Sequence, residues 1–201
     1  LGASSAQATC CDPGPWQELT PAAVAALAGR APVLEQLLQK PGVGAVRVLH
    51  AGSLSGTGVT EPLRCELLHV AALAGQADCL EVLLARGADP ATRIAHGLTA
   101  LHLAAISGRA SPIRTLLARG ALVDARAEAG WTPLHLAAFF NKKAAAEALL
   151  AAGADIHARS TNEMANQPLH SAAAGRSREV VPLLLAAGAD VNATQAGGWS
   201  P

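Results

Sequence analysis

A four-residue phrase returns along this chain at a nearly fixed interval: Glu66-Leu67-Leu68-His69, Thr99-Ala100-Leu101-His102, Thr132-Pro133-Leu134-His135 and Gln167-Pro168-Leu169-His170. The histidines are 33, 33 and 35 residues apart. A second phrase keeps the same step, because Leu-Leu, a small or basic pair and Gly-Ala close each unit at Gly87, Gly120, Gly153 and Gly188, each glycine 18 residues after its histidine. Such a period predicts a stacked solenoid, in which no unit buries its apolar face alone and each neighbour covers the next. A chain of this kind is a binding surface before it is anything else.

The unit from Ala127 to Arg159 carries its own punctuation. Thr132 is placed to cap a helix, and Pro133 stands at the first helical position, where no amide partner is needed. The first helix runs to about Phe140, Asn141 takes a sharp turn that the other units mostly give to glycine, and a second helix runs from about Lys143 to Ala152. Gly153 ends that helix, and an extended finger leads to the next unit. In the last unit the glycine, Gly175, comes one position early and Arg176 falls at the turn. The expectation there is a first helix one residue shorter, and two extra residues within Ser160 to Gln167 predict a lengthened finger.

Composition agrees with thin, closely packed helices. Of 201 residues 51% are hydrophobic, yet there are two Phe, three Trp and no Tyr. The net charge of zero calls for no nucleic acid or anionic membrane, and the apolar runs are too short to span a bilayer. Four cysteines, with Cys10 and Cys11 adjacent, form no spaced disulfide framework. The expected setting is intracellular, cytoplasmic or nuclear.

These phrases resemble the ankyrin repeat family, whose units carry a Thr-Pro-Leu-His signature at this period. The resemblance implies an all-α repeat solenoid of helix-turn-helix pairs with short β-hairpin fingers. Four repeats are read over 61–194, as units 61–93, 94–126, 127–159 and 162–194. Thr20-Pro21-Ala22-Ala23 opens a degenerate first repeat, and 16–60 is that repeat followed by a Gly- and Ser-rich loop from Pro41 to Thr60. Residues 1–15 read as a disordered leader. Gly198-Trp199-Ser200-Pro201 matches Gly130-Trp131-Thr132-Pro133, so 195–201 reads as the start of a truncated further repeat, with an exposed face that frays.

The four repeated histidines invite a metal or proton-relay reading. Packed helices hold them about 10 Å apart, too far to share a ligand at bonds of about 2 Å. In the family this histidine bridges neighbouring repeats by hydrogen bonds. Cys65 and His69 are two ligand types and not a zinc site, and Cys79 reads as a small core residue. No nucleophile triad, phosphate loop or paired carboxylate stands outside the repeat pattern. The expectation is no enzyme, no cofactor and no metal. Asp190-Val191-Asn192 resembles a finger motif whose Asn is hydroxylated in some family members, and it reads here as a turn.

Where the units differ, the chain is free to choose a partner. The resemblance places Phe139 and Phe140, at the end of a first helix, on a concave groove; Leu73 and Ile106 are the equivalents of Phe139, which predicts an apolar column, and Trp131 sits in the finger of the same unit. Aromatics of this kind dominate interfaces. Arg93, Arg126 and Arg159 recur at the same step, and from Arg86 to Arg126 there are six Arg against Asp89 and Asp124, a balance that attracts an acidic peptide. The leading expectation is a non-catalytic protein-protein interaction scaffold binding a protein or peptide through groove and finger tips. The alternative is a targeting or regulatory arm of a larger enzyme or channel, which the open C-terminal end favours. Nucleic-acid binding through the Arg row would need stacking aromatics beside it, and these are absent.

Overall fold

The computed structural model describes residues 16–17, 19–39, 47–50, 63–196, 198 and 200–201. The leader read over 1–15 lies outside the described residues. Ten helices carry the fold among those described: α1 (Pro21–Leu27), α2 (Ala31–Leu37), α3 (Leu67–Leu73), α4 (Ala77–Ala85), α5 (Ala100–Ser107), α6 (Ala110–Ala118), α7 (Pro133–Phe139), α8 (Lys143–Ala151), α9 (Pro168–Ala174) and α10 (Val180–Ala186). They form five antiparallel pairs. The first helices stack as one row, α1-α3-α5-α7-α9, and the second helices as another, α2-α4-α6-α8-α10.

The rows pack closely because the buried positions are small or aliphatic. Ala104, Ala105, Ala137 and Ala138 are fully buried between neighbouring first helices, and Leu101, Leu103, Ile113, Leu116, Leu134 and Leu149 fill the space between rows. One continuous core runs from Ala22 to Ala189. Each helix here is shorter than an isolated helix needs to be stable, so packing rather than propensity holds it.

Between pairs, the chain turns through fingers. Those after Arg93 and Arg126 close on single bonds, Ile94 N–H to Leu98 O (2.9 Å) and Ala127 N–H to Trp131 O (2.8 Å), each over a short 3-10 turn. Arg93 and Thr99 form an isolated antiparallel bridge. The finger over Ser160 to Gln167 is longer, and it ties itself together: Ser160 N–H donates to Asn166 O (2.8 Å), Asn166 N–H to Ser160 Oγ (2.7 Å), and Ser160 Oγ–H to Asn162 Oδ1 (2.7 Å).

Two expectations are corrected. The stretch Pro41 to Thr60, read as loop throughout, contains a strand: β1 (Trp16–Gln17), β2 (Arg47–His50) and β3 (Leu63–Glu66) make a small antiparallel sheet, with Arg47 opposite Glu66 and His50 opposite both Leu63 and Trp16. Val43, Val46 and Val48 carry the β-branched signal that the neighbouring glycines obscured. The rest of that stretch lies outside the described residues. The second correction concerns α9, which is not shortened: Arg176, like Asn141 and Gly108, stands nine residues after its cap, and it adopts the left-handed turn itself, at φ 54°. Non-glycine residues enter that region at a cost of about 1–2 kcal/mol.

Candidate partner-binding groove

The repeated histidines fix the start of each first helix. Thr99 N–H donates to His102 Nδ1 and Thr132 N–H to His135 Nδ1, each at 3.2 Å. With Nδ1 accepting, the proton resides on Nε2, which donates onward to the next repeat: His102 to Trp131 O (3.1 Å) and His135 to Asn166 O (2.9 Å). His69 Nε2 bridges similarly to Thr92 O at 3.2 Å. Burial holds the pKa of His69, His102 and His135 down at about 4, because desolvation penalises the charged ring more than these carbonyls favour it. The neutral rings are staples between repeats. Cys65 falls on β3 while His69 lies in α3, so the two do not share a helix face. Cys79 is fully buried, with its thiol pushed up to about 11 by burial first and by Asp78 second, which leaves it unreactive.

The ends of the first helices, with the fingers beside them, form one open face. There Trp131, Phe139 and Phe140 make a continuous aromatic cluster: Trp131 and Phe139 meet edge-on with centroids 5.9 Å apart, and Phe139 and Phe140 at 5.2 Å and 86°. Trp131 also leans on His135 at 6.0 Å. All three rings are half-buried. Trp131 and Phe140 rest against the core cluster, and their remaining surface faces outward. The expected column is interrupted, because Ile106 is completely buried between flanking first helices and offers no surface. Leu73 is half-buried against the core. The aromatic surface therefore belongs to one repeat.

Arg93, Arg126 and Arg159 are all exposed along the fingers, but the row is more ordered than solvated side chains would be. Arg93 Nη1 donates to Gly97 O (3.1 Å) and to Arg126 O (2.6 Å), and Arg126 Nη1 donates to Arg159 O (2.7 Å). The guanidinium groups of Arg93 and Arg126 thus each tie their finger to the finger that follows.

A further row was missed in the sequence. Where each first helix turns into its partner, a side chain folds back over the turn of the preceding repeat, so that Gln76 covers Gly29, Arg109 covers Gly75 and Lys142 covers Gly108. Gln76 Nε2 donates to Leu27 O (3.1 Å) and Arg109 Nη1 to Gly75 O (3.4 Å). Aligning the units on their helix caps puts these residues in one register, which is the signal that could have found them.

Among the described residues no three His, Cys, Asp or Glu side chains gather as a metal site, and no helix is long and apolar enough to cross a membrane. No curated protein matches the chain. A family model described as ankyrin repeats matches in three overlapping copies, over residues 22–127, 68–160 and 125–195. Repeats of this kind are generally protein-protein interaction modules and typically non-catalytic. The period, the paired helices, the histidine staples and this match over most of the chain make it a member of the ankyrin repeat family.

Proposed function

We propose that this chain is a non-catalytic scaffold that recognises a protein or peptide partner on the face formed by the first-helix ends and the fingers. The observation that carries the reading is the Trp131–Phe139–Phe140 cluster, three half-exposed rings in mutual contact. They are the two phenylalanines of the chain and one of its three tryptophans. Clustered, partly exposed aromatics are the composition of an interface hot spot. Leu73, two first helices away, and the Arg93–Arg126–Arg159 row on the fingers complete the proposed surface. The partner is a protein, the chain works without metal or cofactor, and the setting is intracellular, in keeping with a buried free thiol at Cys79.

The test is an affinity capture from cell lysate with the wild-type chain and a Phe139→Ala, Phe140→Ala double variant, both checked for helicity by circular dichroism. Partners retained by wild type and lost by the folded variant support the groove. Partners retained equally by both exclude the aromatic cluster as the recognition surface.

A further inference from the structure

The two ends of the helix stack are bare in different ways. Counting from the helix caps Thr20, Glu66, Thr99, Thr132 and Gln167 puts the five helix pairs in one register. Val24, four residues after its cap, is 49% exposed, whereas Val70, Leu103, Leu136 and Ser171 at the same position are all buried. Val33, thirteen residues after the cap, is 48% exposed, while its counterparts Cys79, Ala145 and Val180 are fully buried. A position bare only in the first pair faces upstream. Positions bare only in the last pair face downstream: Ala173 is exposed where Ala26, Ala72, Ala105 and Ala138 are fully buried, and Leu185 is exposed where Leu84 is buried.

The downstream end also holds a spare hydrogen-bond donor. His102 and His135 give their Nε2 proton to the carbonyl of the residue just before the next cap, Trp131 and Asn166. His170 is only 6% exposed, and its Nε2 has no partner among the described residues. It lines an open recess of about 260 Å³ together with Met164, Ala173 and Ala174. Ser200 and Pro201 border this recess without filling it. At the upstream end, the residue just before the first cap is Leu19, itself exposed.

Every interior junction joins a downstream set of this kind to an upstream set, and the two ends carry one of each, unmatched. Val24 and Val33 at one end and Ala173, Ala174 and Leu185 at the other are apolar, where a terminal unit of such a stack needs a polar outer face.

We propose that the downstream face is covered by a second copy of this chain, stacked head to tail. Helices α1 and α2 of one copy lie on α9 and α10 of the other, Val24 and Val33 pack on Ala173, Ala174 and Leu185, and the Leu19 carbonyl accepts the His170 Nε2 proton. Ser200 and Pro201 stand in the register of Thr20 and Pro21, and the incoming cap displaces them. The same register sets Arg30 over the turn at Arg176, as Arg109 lies over Gly75, and these like charges oppose the junction. A junction between two different faces adds copies in series. Tail-to-tail pairing is the less suitable arrangement, because two downstream faces bring together two histidine donors and no carbonyl in register.

The experiment is sedimentation velocity from low to high micromolar concentration on the wild-type chain and two single variants, with helicity checked by circular dichroism. Val24→Glu spoils only the upstream face and Leu185→Glu only the downstream one, and both side chains are exposed, so the fold is retained. Expected are a wild-type mass that climbs with concentration, either variant alone as a monomer, and an equimolar mixture of the two that forms a one-to-one dimer through the faces left intact. Arg30→Glu is expected to tighten wild-type association several-fold. Should either variant misfold, Val33→Glu or Ala174→Glu replaces it. A wild-type chain that stays monomeric overturns the proposal. So does a Val24→Glu variant that still pairs with itself, which marks a tail-to-tail dimer. A mixture that forms no dimer, or an Arg30→Glu chain that associates more weakly than wild type, overturns it as well.

Discussion

The α-carbon of Gly175 lies against the main-chain carbonyl of Phe139, so closely that a Cβ at 175 would overlap that oxygen. Glycine is needed there for close approach and not for its own dihedral, since Gly175 is right-handed at φ −77°. The left-handed step then falls to Arg176. Gly175→Ala is expected to destabilise the chain by about 3 kcal/mol, since the neighbouring backbone must move. Arg176→Gly, which relieves the dihedral, is expected to stabilise it by about 1 kcal/mol. Urea unfolding of both variants measures this, and a neutral Gly175→Ala would mean that α7 and α9 are not interlocked.

Stability should fall with acid. His69, His102 and His135 have folded pKa values near 4 against an ordinary 6.5. Below about pH 6.5 the unfolded chain takes up protons that the folded chain refuses, so the stability these rings contribute at neutral pH is lost progressively as pH drops toward 4. The slope is about 1 kcal/mol per pH unit for each ring. Thermal melts from pH 7.5 to 4.5 check this; a flat midpoint across that window would show that the rings titrate normally.

Arg126 contributes a bond from one finger to the next. Removing it in Arg126→Ala leaves the Arg159 carbonyl to water, and the expected loss is about 1 kcal/mol. Hydrogen exchange localises the effect: the amides of the finger from Arg126 to Trp131 should exchange faster, while those of α3 and α4 remain unchanged.

Much of this architecture is legible in the chain because the repeat has a phase. Helices α7 and α8 end within a residue of where Thr132, Asn141 and Gly153 put them. What escaped was long-range. The strand Arg47–His50 exists only against Leu63–Glu66 on one side and Trp16–Gln17 on the other, and glycine-rich flanks hid its weak β-branched signal. The role of Gly175 was misread because its constraint comes from Phe139, 36 residues earlier. Ile106 reads as groove by alignment with Phe139, but burial depends on what its neighbours cover.

At the C-terminal face, His170 Nε2 is buried without a partner among the described residues, whereas His102 and His135 each bridge to the following repeat. Met164 and Val191 are exposed in the fingers on either side of that unit. Fusing a designed capping repeat with a polar outer face after Pro201 is expected to raise the melting temperature, with a gain of at least about 1 kcal/mol from satisfying that nitrogen alone. An unchanged midpoint would show that the face is already self-sufficient.

The histidine staples have one more consequence. They seat each helix with an uncharged ring instead of the carboxylate that commonly closes such caps, and they join repeats through main-chain carbonyls. Ionic strength has little purchase on bonds of this kind. The frame should hold its shape from dilute buffer to strong brine, so a salt titration of partner binding reads recognition separately from folding.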